Sequence, residues 1–159
     1  MPSAWGSKRA GGRPARILLG RAWLRLLGGL KGPGPLYLFA LLLLCAAYIQ
    51  GPATKILDFD GAIAEMNHFG LSPAPAFAVL VIVFELTASA MILAGFRRWL
   101  AALALAGFTL IATLIALRFW EMPPGLPRVM ATNSFFEHLG LIGGFLLVAF
   151  DDLTRTRAI

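Results

Sequence analysis

Residues 74–95 read APAFAVLVIVFELTASAMILAG, and this stretch decides what kind of protein the chain is. It is long enough to be a membrane span, since a helix needs ~20 residues at ~1.5 Å each to cross a hydrocarbon core. Backbone groups at that depth have no water to bond, so an isolated strand is excluded and a helix is required. One ionisable side chain interrupts the run, Glu85. No other Asp, Glu, Lys or Arg falls between Glu65 and Arg97. A carboxyl group at that depth costs about 3 kcal/mol unless it is neutral, paired or set in a water-lined cavity.

Three further apolar runs flank this one. The first begins at Leu36, reaches Gln50 and continues through Pro52 to Leu57, where the proline predicts a kink. The third covers Trp99 to Phe119, and the fourth covers Ala131 to Phe150. The fourth reaches full length only with Glu137 and His138 inside the helix. Four helices joined by short links predict an all-α fold, a four-helix transmembrane bundle over residues 36–150. A basic arm, residues 1–35, precedes it, and a short tail, residues 151–159, follows.

Composition agrees. Of 159 residues, 58% are hydrophobic and 14% charged, against roughly 25% charged in soluble domains. The mean hydropathy is +0.77. The net charge of +6 does not indicate a nucleic-acid partner, because the cations cluster at the ends of apolar runs. In the four-span arrangement eleven of them fall on one side, from Lys8 to Lys31, at Arg97 and Arg98, and at Arg155 and Arg157. Lys55, Arg118 and Arg128 fall on the other. The positive-inside rule then predicts cytoplasmic termini, with the links 58–72 and 120–134 facing outward. Tyr37, Trp99 and Trp120 fall near the expected interfaces. Within the arm, Leu19, Ala22, Trp23, Leu26 and Leu30 share one face at helical spacing, the pattern of a membrane-surface helix.

Six residues are candidates for chemistry. Glu85 is either a structural carboxyl, paired or hydrogen-bonded to a neighbouring helix, or a proton carrier. The structural reading is favoured, because no second buried acid continues a relay. Thr87, Ser89, Thr109 and Thr113 offer hydroxyls, though a hydroxyl on a membrane helix usually bonds its own backbone. Lys55 is the candidate cation from the first span, with snorkelling outward as the simpler reading. Arg118, at the end of the third span, invites the same reading. Glu137 and Asn133 share a face one turn apart, with His138 about 100° away. His138 or Asn133 suits hydrogen bonding to a quinone headgroup. A metal site is not expected, since His68 and His138 share no ligand spacing. The one cysteine, Cys45, excludes an intrachain dithiol. Gly140 with Gly144, and Ala102 with Ala106, permit close helix approach.

The chain from Leu36 to Phe150 resembles the DoxX family of bacterial four-helix membrane proteins. The resemblance rests on the end of the first span, Gly51 to Lys55, and on HFGLSPAPA at 68–76. FELTASAMILAGFRRW at 84–99, RFWEMPPG at 118–125 and FFEHLGLIGGFLLVA at 135–149 extend it. The fourth motif departs from the family's Lys-Asn-Leu, reading Glu137-His138-Leu139, so no role of that lysine carries over. The resemblance implies a bacterial inner-membrane protein. It also implies redox company: family members include a small membrane subunit of a thiosulfate:quinone oxidoreductase and a component of an assembly with superoxide dismutase and a sulfurtransferase. No complete catalytic constellation stands in the sequence. The expectation is therefore a non-catalytic membrane subunit or anchor beside a redox protein partner, with a homo-oligomer allowed. The alternatives are a quinone-reducing subunit using Glu85 and His138, and a small transporter.

Overall fold

A computed structural model describes residues 34–157 of the chain. The expected surface helix of the basic arm lies outside the described residues. Helix α1 (Pro35–Leu57) opens on a proline, which suits a first helical position. Its first turn belongs to a separate unit, and residues 38–159 form one compact unit. The helix runs on through Pro52, as its hydropathy required. Leu41, Cys45, Tyr48 and Pro52 are its buried residues. Their spacing of four, three and four places them on one face. Leu42, Leu43 and Ile56 lie exposed on the others, where lipid would cover them.

The link after α1 is not an open loop. It folds as α2 (Phe59–His68), capped by Asp58, whose carboxylate accepts a hydrogen bond from the Gly61 amide at 2.9 Å. Ala62 and Met66 of α2 pack on Ala74 and Ala78 of α3 (Ala74–Ala94). That contact explains why a ten-residue helix persists at the mouth of the bundle.

The turn from α3 to α4 (Arg98–Ala116) is built tightly. Gly95 adopts φ 77°, and the amides of Gly95 and Phe96 bond the Ile92 and Met91 carbonyls. Arg98, one of the two cations of this turn, is buried. Its Nε donates to the Ile92 carbonyl at 2.8 Å, and its guanidinium lies 3.8 Å from Asp152. Asp152 also accepts from the Trp99 amide at 3.0 Å, so one carboxylate caps α4 and balances the buried cation.

Helix α4 stops at Ala116, three residues short of the expected end, and a 3-10 turn follows at Phe119–Glu121. Pro123, Pro124 and Gly125 break the chain, and Pro127 helps restart it as α5 (Leu126–Arg157). This helix starts five residues before the expected Ala131 and absorbs most of the tail. Its 32 residues span about 48 Å, longer than a hydrocarbon core. Helices α1, α3, the α4 segment and α5 are each long and apolar enough to cross a membrane. The most extensive helix contact joins α4 to α5. Ala102 and Ala106 are buried in α4, as their spacing predicted. On α5, Gly144 meets Leu44 of α1, whereas a side chain at Gly140 would meet nothing.

Candidate functional site

The bundle encloses a cavity of about 580 Å³, a volume suited to a small amphipathic ligand. Its walls are mostly aromatic and aliphatic, with Phe77 and Phe84 from α3 and Phe108 from α4. Phe84 and Phe108 touch across these two helices, with ring centroids 5.2 Å apart. Leu80 of α3 and Ile111 and Ile115 of α4 line the cavity and are exposed, so the cavity is open along these residues.

Six polar side chains reach this apolar space: Tyr48, Lys55, Glu65, Glu85, Thr109 and His138. Glu85 stands at the middle of α3, half-buried, with its carboxylate against Gly51 of α1. A Cβ at Gly51 would lie 3.8 Å from Glu85 Oε2. The hydrogen bond or ion pair expected of a structural carboxyl is absent among the described residues. The reason lies in α2. That helix presents Glu65 to Lys55, and the two form an ion pair at the mouth of the cavity. Lys55 therefore neither snorkels freely nor pairs with Glu85.

The hydroxyls fix proton positions. Thr109 Oγ1 donates to the Leu105 carbonyl at 2.6 Å, so its single proton is committed. Tyr48 must then donate its phenolic proton to Thr109. Thr113 Oγ1 likewise donates to the Thr109 carbonyl at 2.6 Å and lies 2.9 Å from His138 Nδ1. His138 must therefore carry its proton on Nδ1, which leaves Nε2 as an acceptor. Tyr48 also packs edge-on against Phe145 of α5, with centroids 5.2 Å apart. The site is thus braced from α1, α4 and α5 while Glu85 is left unbonded. Among the described residues no group of three His, Cys, Asp or Glu side chains has a metal-binding arrangement.

The remaining candidates lie elsewhere. Arg118 forms an exposed ion pair with Glu121, 3.2 Å away. Asn133 and Glu137 are exposed on α5 and do not line the cavity. Thr87 is exposed, and Ser89 is buried beside Cys45.

The match to known families covers α1 through α4. Residues 36–118, just over half of the chain, fit the family model DoxX. The chain belongs to the DoxX family. Within DoxX the inner membrane protein YphA of Escherichia coli (strain K12) is 27% identical over 95 residues, 60% of this chain and 67% of the relative. No solved structure matches the chain. The DoxX match holds Tyr48, Lys55, Glu65, Glu85 and the two threonines, while His138 enters the cavity from α5, beyond the matched residues.

Sequence reasoning passed over Tyr48 and treated Glu65 only as an acid in a link. Tyr48 had a legible signal, standing seven residues before Lys55 and hence on the same helical face. Glu65 had a weaker one, the Asp58 cap that starts α2.

Proposed function

We propose that this DoxX protein is a multi-pass protein of the bacterial inner membrane, with both termini cytoplasmic, that serves as the membrane subunit of a redox assembly. In this reading the cavity receives the headgroup of a lipid-soluble quinone. The observation that carries it is the apolar cavity, half open and lined by exposed apolar residues of α3 and α4, into which Glu85, Tyr48 and His138 also reach. A carrier dissolved in the bilayer can enter such a site without crossing water. The donor set fits the reduced form well: Glu85 as carboxylate and His138 Nε2 both accept, and a quinol offers two hydroxyl donors. A protonated Glu85 can donate to the oxidised form. The chain has no dithiol of its own, so a partner would supply the electrons.

The name of the similar Escherichia coli protein supports the membrane assignment. Charge supports the orientation. Two of the three cations on the α2 face, Lys55 and Arg118, are held in ion pairs there. Purification from native membranes in mild detergent, with mass spectrometry of bound proteins and lipids, tests the reading. Co-purification of a redox protein and a quinone is expected. A protein that remains alone and carries no quinone refutes it.

A second reading, that the subunit itself takes part in quinone reduction, is favoured by Glu85 and His138 lining one cavity. Two protons must join the two electrons delivered to each quinone; a protonated Glu85 would donate one, and His138 would pass on the other through Nε2 after first taking it up there. Glu85→Gln should then abolish turnover of the intact assembly while the protein still accumulates in the membrane. Normal turnover in that variant removes the reading.

A further inference from the structure

A second, smaller cavity of about 370 Å³ lies between the end of α1 and α2. Its lining is mixed, with five polar side chains, Gln50, Thr54, Lys55, Asp58 and Glu65, beside Gly51, Gly61 and Ala62. Thr54 and Asp58 are exposed, so this vestibule meets solvent on the α2 face. Two features join it to the apolar cavity. Lys55 and Glu65 line both spaces, so their ion pair forms the partition. Gly51 lines the vestibule and has Glu85 Oε2 directly behind it, with no side chain between them. The opposite direction is sealed. One turn along α3, Ser89 is buried beside the fully buried Cys45. Ile92 and the buried Arg98 close the bundle beyond.

We propose that these two cavities form a one-sided proton route, which lets Glu85 exchange protons with water on the α2 face and not with the opposite face. The vestibule has polar side chains and is roomy enough to hold several waters. A hydronium ion there passes its proton, by way of a water beside Gly51 where no side chain blocks the approach, to the Glu85 carboxylate, leaving a carboxylic acid and water. The partition pair keeps bulk water out of the apolar cavity, because the joined Lys55 and Glu65 side chains cover the direct opening. The titratable and charged groups lining the same cavity as Glu85 are Tyr48 and Lys55 from α1, Glu65 from α2 and His138 from α5, while α4 contributes only the Thr109 hydroxyl among its polar groups. The route does not depend on what occupies the cavity, so it stands or falls separately from quinone binding.

Infrared spectroscopy of the purified full-length protein in lipid nanodiscs tests it. The Glu85 carboxyl band is identified by its loss in Glu85→Gln, and its shift is timed after mixing with D2O. Rapid exchange is expected in the wild type, and Gly51→Leu should slow it about tenfold or more. Ser89→Ala, on the sealed side, should leave the rate unchanged. A second arm avoids any folding defect. Thr54→Cys is capped after purification with a bulky water-soluble maleimide, while the buried Cys45 stays unreacted, and this should slow exchange as well. A wild-type band that does not exchange over hours overturns the proposal. So do unchanged rates in both the Gly51→Leu and the capped protein, or a Ser89→Ala rate slowed as much as Gly51→Leu.

Discussion

Replacing Glu85 with leucine should make the protein more stable. Glu85 stands near the centre of a 21-residue span, with no hydrogen bond and no ion pair among the described residues. Insertion scales place an acid at the centre of a span near +3 kcal/mol and Leu near about −0.5 kcal/mol, a difference of ~3 to 4 kcal/mol. That difference is an upper bound for this site. Glu85 is only half-buried and borders a cavity shared with Lys55, and it can be protonated. Half of the difference, roughly 1.5–2 kcal/mol, is the expected gain of Glu85→Leu. Glu85→Gln, which removes the charge and keeps the shape, should gain less. Reversible unfolding in mixed micelles, followed by tryptophan fluorescence, measures both. A loss of more than about 1 kcal/mol in Glu85→Leu would refute the reasoning, because it would mean that the carboxyl holds a contact. If the wild type retains quinone under the proposed function, its loss in the same variant would tie Glu85 to that site.

Asp152→Ala should cost about 1–2 kcal/mol, since it removes the acceptor of the Trp99 amide and a carboxylate beside the buried Arg98, and thermal unfolding in detergent would read it. Nitrogen NMR of labelled protein should find His138 protonated at Nδ1, and Thr113→Val should shift that tautomer balance. Tyr48→Phe should lose about 1 kcal/mol for its bond to Thr109 while the packing on Phe145 survives, so its unfolding should resemble that of Thr109→Val. A Cβ at Gly144 would fall 2.9 Å from Leu44 Cδ1, so Gly144→Ala should be mild and Gly144→Ile should cost roughly 2 kcal/mol, partly recovered with Leu44→Ala.

The four spans were legible because hydropathy over ~20 residues is a local quantity, and a backbone in lipid has no choice but helix. The same reasoning picked out Glu85, since one charge in an apolar run needs no neighbour to be conspicuous. Helix ends were less legible. The α5 start moved to Leu126 because Gly125 and Pro127 set it, while hydropathy pointed to Ala131. The link after α1 hid a short helix whose cap, Asp58, was visible but whose support, the packing of Ala62 and Met66 on α3, was not.

What the sequence determined by itself is therefore the class of the fold, the number of spans and the presence of a carboxyl that needs explanation. Tertiary structure decided its circumstances. Lys55 stands ten residues from Glu65 and thirty from Glu85, and only the docking of α2 gives it to the nearer acid. Arg98 is a buried cation with a carboxylate beside it because α5 overruns its span and brings Asp152 to it. His138 has its proton placed by a threonine on another helix. Pairing is a property of positions in space, and no local pattern encodes which of several opposite charges arrives first.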